Sequence, residues 1–140
     1  MDKKLIESAD AVGMFCRFQM NTKKNIPVRS SEMGVLIFIK RSSLSVTPLM
    51  ISEFFNISKP SVTTIIKALV KEKYIVRIPS PIDKRSYIVE ITNRGNVLFT
   101  KTFDEYFKLI GLLKKEMNGD DFIQMIELIK KANKILKGDH

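Results

Sequence analysis

Apolar residues recur along most of this chain at helical spacing. Leu5, Ala9, Val12 and Cys16 share one face, and Ile6, Met14, Phe15 and Phe18 widen it well beyond one stripe. A first helix with such a surface packs on more than one neighbour. Asn25 to Arg29, with Pro27 inside, break the pattern, and a second apolar helix is predicted from about Ser31 to Lys40, where Lys40 and Arg41 complement the negative end of its dipole. Thr47 followed by Pro48 reads as an N-cap and first helical residue, opening a short helix through Phe55. Asn56 tolerates the left-handed backbone of a sharp turn. Ser58 is a second N-cap, with Pro60 in the first turn of the helix it starts. Two short helices about three residues apart, the first carrying the small Ser52 where helices cross closely, make a helix-turn-helix.

The second of these helices sorts into two faces. Val62, Ile65, Ile66, Leu69 and Val70 take the buried spacing, which leaves Lys59, Pro60, Ser61, Thr63, Thr64, Lys67 and Lys71 outward. That outward face has no acidic group before Glu72, whereas surface helices usually mix both signs. Ile75–Ile78 and Ser86–Thr92 then read as strands; Tyr87, Val89 and Ile91 alternate with Ile88, Glu90 and Thr92. The Pro-Ser-Pro-Ile-Asp-Lys-Arg connection between them is a wing. Thr92 caps a further helix, and Asp120 is expected to cap the last one after an Asn118–Gly119 break. Phe99, Phe103, Tyr106, Phe107, Ile110 and Leu113, then Phe122, Ile126, Ile129 and Leu136, give these helices more apolar surface than one small core needs.

The expected fold is mainly α with a small β-hairpin wing, a single domain over residues 1–140. Its winged helix-turn-helix spans about 31–95, and residues 1–24 and 96–137 form helices that join a homodimer. At 44% hydrophobic and 28% charged residues the chain has the composition of a folded domain. No apolar stretch approaches the ~20 residues of a membrane-spanning helix, and the first residues lack the pattern of a secretory signal, so the expected location is the cytoplasm without a membrane partner.

Charge changes the picture more. The net charge is +9, and residues 58–94 carry eight Lys/Arg against three Asp/Glu, more than half of the excess. A polyanionic partner fits this concentration. Chemistry of other kinds finds little footing. One cysteine and one histidine, Cys16 and His140, make no zinc set and no His-based triad. No Gly-rich phosphate loop or nucleophile elbow is present, so neither an enzyme nor a cofactor is expected.

From Thr47 to Gly95 the sequence resembles the MarR family of winged helix-turn-helix transcriptional regulators. The carrying residues are Ile-Ser-x-Pro-Ser-Val-Thr at Ile57–Thr63, then Leu69, Arg77, Asp83-Lys84-Arg85 and Ile91-Thr92-x-x-Gly95. At motif level this covers about a third of the chain. The resemblance implies double-stranded DNA as partner and a pseudo-palindromic operator bound by a homodimer; repression is the expected sign because no partner-recruiting segment is evident. It puts Ser58, Lys59, Pro60, Ser61, Thr63, Thr64 and Lys67 in the major groove and Arg85 in the minor groove, with Asp83 as its orienting partner and Lys84 and Arg77 beside them. Lys73 stands where the family usually has the glycine that ends this helix, which implies either a left-handed Lys or a longer helix.

Two further features invite a regulatory reading. Met14, Phe15, Phe18, Met33 and Phe38 are candidates for a small-molecule effector pocket, with core packing as the alternative. Cys16 is a candidate redox sensor, but its shared spacing with Leu5, Ala9 and Val12 favours a buried, inert thiol. The rival function is a winged helix that docks proteins or RNA, although the basic region lacks the aromatic platform usual for single strands.

Overall fold

A computed structural model describes residues 1–21 and 26–138. Asn25 of the expected break, residues 22–24 of the N-terminal segment and His140 lie outside the described residues. The chain forms two compact units, residues 26–103 and residues 1–25 with 104–140.

In the first unit α2 (Ser30–Arg41), α3 (Pro48–Phe55) and α4 (Lys59–Lys71) precede strands β1 (Ile75–Pro79) and β2 (Tyr87–Ile91) and the start of α5 (Asn93–Tyr106). Helices α3 and α4 begin where side chains satisfy their free N–H groups. Thr47 Oγ1 accepts from the Met50 N–H at 3.2 Å and Ser58 Oγ from the Ser61 N–H at 3.3 Å. Between α3 and α4 the chain turns through Asn56 at φ 53°, ψ 49°, and the Ser52 hydroxyl donates to the Ile57 carbonyl at 2.7 Å. Ser52 therefore closes the turn by a hydrogen bond as well as by its small size. Met33, Leu36, Ile51, Val62, Ile66, Leu69, Ile75 and Val89 are fully enclosed and form the core under α4.

The end of α4 resolves the question that Lys73 raises. Lys73 is left-handed, φ 63°; its N–H donates to the Val70 carbonyl at 2.9 Å, and the Tyr74 N–H to the Leu69 carbonyl at 3.0 Å. This is the two-bond helix stop in which glycine is the usual left-handed residue. The strands pair antiparallel from Ile75↔Ile91 to Pro79↔Tyr87, so the second strand begins and ends one residue inside the expected Ser86–Thr92. An added bridge joins Val46 to Val89, whose N–H donates to the Val46 carbonyl at 2.9 Å. Thr92 caps α5 as expected, accepting from the Gly95 N–H at 3.1 Å, and its hydroxyl also reaches the Lys73 carbonyl at 2.6 Å. A Cβ at Gly95 would overlap the Tyr74 carbonyl oxygen, so the Thr-x-x-Gly pattern lets α5 start hard against the end of α4.

The second unit contains α1 (Lys3–Asn21), the end of α5, α6 (Lys108–Glu116) and α7 (Gly119–Leu136). The cap of α7 is Asn118, which accepts from the Asp121 N–H at 2.9 Å, and not the expected Asp120, which lies in the first turn. The aromatic run after Gly95 is also two helices, parted at Phe107. Burial pushes the Tyr106 phenol above its ordinary pKa, and its ring meets Phe107 edge-on at 5.0 Å. Within the chain α1, α6 and α7 bury no residue completely, and Leu5, Val12, Phe18, Ile123 and Leu128 each leave more than half of their surface exposed. Cys16 is exposed as well, contrary to the burial its spacing suggests, because that spacing defines a face that none of the described residues covers.

Candidate nucleic-acid interface

Helix α4 presents the outward residues as one exposed stripe. Lys59, Pro60, Ser61, Thr63, Thr64, Lys67 and Lys71 are all exposed, while Val62, Ile66 and Leu69 are buried beneath them. The hydroxyls are ordered along the helix. Ser58 Oγ lies 2.9 Å from Ser61 Oγ, Thr63 donates to the Lys59 carbonyl at 3.1 Å, and Thr64 to the Pro60 carbonyl at 3.0 Å. Each keeps free acceptor capacity and becomes a donor to an outside group by rotation of its O–H about the Cβ–Oγ bond.

The wing is closed by its own hydrogen bonds. Ser80 N–H donates to the Ser86 carbonyl at 3.1 Å, Ser86 N–H to the Asp83 carbonyl at 3.1 Å, and Ser80 Oγ accepts from the Ile82 and Asp83 N–H groups at 3.3 and 3.4 Å. Asp83 Oδ1 accepts from the Arg85 N–H at 2.9 Å. The aspartate thus acts on the Arg85 main chain, and among the described residues no ion pair joins the two side chains. Asp83, Lys84 and Arg85 are all exposed.

Helix and wing meet around one cleft of about 380 Å³. Its walls are Thr47 to Leu49 at the start of α3, Lys59, Val62 and Thr63 of α4, and Arg85 to Tyr87 at the wing base. Arg85, Lys59 and Thr63, predicted from two separate motifs, therefore flank a single concavity. Arg77 does not line it; its guanidinium lies 5.3 Å from the ring centroid of Tyr87, which does. Tyr87 and Pro48 were not among the expected site residues. Tyr87 carried only a strand signal and Pro48 only a cap signal, so their shared cleft is a product of tertiary folding.

Arg94 is the other residue beyond the expected set. Its Nε donates to the Glu72 carbonyl at 2.8 Å, its Nη2 lies 3.9 Å from Glu72 Oε2, and its guanidinium stacks 5.0 Å over Tyr74. It fastens the C-terminal end of α4 to α5. No spacing rule could have found it, because 22 residues separate the partners.

The regulatory candidates divide between the units. Met33 is enclosed in the winged-helix core with the Thr102 hydroxyl 3.6 Å from its sulfur, and Phe38 stacks with Phe54 and Phe55 at 4.7 and 5.8 Å. In the other unit Phe15 and Phe18 line a cleft of about 360 Å³ with Gln19, Leu109, Leu112 and Leu113, and Met14 Sδ lies 3.9 Å from Arg17 Nη2. Cys16 has no acidic or histidine cluster around it; among the described residues no group of three such side chains is poised for a metal. No helix among them is long and apolar enough to cross a membrane.

A three-helix core with a β-hairpin beside an exposed, basic helix defines a winged helix-turn-helix. Residues 26–86 match the sequence model of the MarR family. No curated protein matches the chain by sequence. Among solved structures, a mutant of E. coli MarR complexed with operator DNA is similar at 19% identity and TM-score 0.79, covering 94% of this chain and 99% of that one. A MarR/EmrR family regulator from Acinetobacter sp. ADP1 matches at 18% identity and TM-score 0.80 over 99% of both chains. A MarR transcriptional regulator from Methanosarcina mazei Go1 matches at 17% identity and TM-score 0.76, over 99% of this chain and 100% of that one. Residues 26–86 thus carry the MarR family pattern, and the chain has the winged helix-turn-helix fold that these solved structures share.

Proposed function

We propose that the protein binds double-stranded DNA sequence-specifically, as a homodimer on a pseudo-palindromic operator, and represses transcription there. The observation that carries this reading is the shared cleft. It sets Lys59 and Thr63 of an exposed helix with no acidic residue opposite Arg85 of a rigid wing. In it α4 enters the major groove, where Ser58, Ser61, Thr63, Thr64, Lys59 and Lys67 meet base edges and phosphates. Arg85 enters the adjacent minor groove, whose concentrated negative potential favours a guanidinium. Asp83 sets the Arg85 main chain, while Lys84 and Arg77 supply phosphate-directed charge.

The exposed apolar residues of α1 and α7 support dimerisation, since large exposed apolar patches mark interfaces. Residues 1–24 and 96–137 supply the joining helices in this reading. Release by a small apolar effector is a further part of the proposal, supported by the aromatic and leucine lining of the Phe15/Phe18 cleft.

The test is a gel shift with the full chain on duplex DNA from upstream of its own gene, competed by the same sequence as single strands and as RNA. The duplex is expected to compete and the other two to fail. Competition by RNA or single strands at the duplex's level would favour a general interaction module.

A further inference from the structure

The tip of the wing carries one residue that charge does not explain. Ile82 is 95% exposed, on a turn that apart from Pro81 is otherwise polar, with Ser80, Asp83, Lys84, Arg85 and Ser86 around it. Isolated exposed apolar residues are common and usually have no role. Two further observations separate Ile82 from that background.

First, hydrogen bonds fix the backbone of the turn that carries Ile82. Its N–H is held by Ser80 Oγ at 3.3 Å, and the turn is closed on either side by the Ser80–Ser86, Ser86–Asp83 and Arg85–Asp83 bonds. Pro79 and Pro81 fix two backbone torsions on the approach. The side chain is presented to solvent by a preorganised loop, which loses little entropy on binding. Second, Ile82 shares this short loop with Arg85, which lines the cleft beside α4. A partner that draws in the arginine must also approach the isoleucine.

We propose that Ile82 is a DNA-contacting residue, an apolar counterpart to Arg85 that packs against the deoxyribose walls of the minor groove. This inference rests on the DNA-binding reading above. The floor of that groove offers acceptors to the guanidinium, while its walls offer sugar C–H groups that no charged side chain satisfies. Other minor-groove proteins also place apolar side chains there, as wedges between base steps. The contact removes apolar area from water without neutralising a phosphate, so it adds affinity with no counterion release.

That difference supplies the test. Duplex from upstream of the protein's own gene is titrated with wild type, Ile82→Ala, Ile82→Leu and Lys84→Ala over a series of salt concentrations, with the thermal midpoint of each variant measured alongside. Ile82→Ala is expected to bind about fivefold more weakly per wing, with an unchanged salt slope and midpoint. Ile82→Leu is expected to restore binding. Lys84→Ala should instead lower the slope by about 0.9 per wing. If wild type binds with a steep slope and Ile82→Ala binds equally well, the proposal fails and the DNA-binding reading stands. A loss accompanied by a changed slope also overturns it. If wild type shows no salt-dependent duplex binding, the underlying reading fails and Ile82's role with it.

Discussion

Lys73 holds a backbone conformation that costs an L-residue about 1 kcal/mol, and it does so at the stop of the helix proposed to read DNA. The two i→i−3 and i→i−5 bonds of that stop, the Thr92 hydroxyl on the Lys73 carbonyl and Arg94 on the Glu72 carbonyl outweigh the cost together. Lys73→Gly should therefore raise unfolding stability by about 1 kcal/mol, measured as a shift of the urea midpoint at fixed protein concentration. Lys73→Ala, which keeps a Cβ, should give no comparable gain; equal shifts for the two would show that the left-handed backbone is not the strained feature. The sequence already narrowed this site to two outcomes, because a non-glycine at a helix stop admits only strain or extension. It could not choose, since the choice depends on Thr92 and Arg94, about 20 residues away.

At the scale of elements, the proposed DNA contact assigns the wing's three adjacent residues different tasks. Arg85→Ala should weaken duplex binding more than Lys84→Ala, because a guanidinium suits a narrow groove better than a strongly hydrated ammonium. Asp83→Ala should fall between them, through loosening of the turn that fixes the Arg85 main chain. Equal losses for Arg85 and Lys84, read by fluorescence anisotropy, would reduce the wing to a plain charged patch. Much of this element level was legible beforehand. Thr47 and Ser58 announce helix starts by their own chemistry, and Val62, Ile66 and Leu69 announce the buried face of α4 by period. Elsewhere local chemistry is degenerate. Asn118 and Asp120 are both good caps and only geometry selects Asn118; the apolar run from Phe103 to Ile110 conceals the break at Phe107; and the Val46 bridge involves a single residue with no period to detect.

For the whole molecule, apolar period indicates which face of a helix is oily but not what covers it. Cys16 shows this most plainly, since it lies on the apolar side of α1 and is nevertheless exposed in the chain. The same uncovered faces motivate the dimer. Truncation after Met117 removes α7 and is expected to leave a poorly soluble or monomeric chain with little specific binding, as read by light scattering and gel shift. A truncated chain that stays dimeric and binds its duplex would place the interface elsewhere. Tethering two α4 helices matters because a second half-site contact within one assembly raises affinity by ~10²–10⁴. The most direct measurement of the DNA-binding reading is the salt dependence of duplex affinity for the intact protein, followed by anisotropy. Lys and Arg side chains that neutralise phosphates release condensed counterions, so a log–log slope of about −4 or steeper is expected for the dimer. An affinity that stays the same between low and physiological salt would contradict it.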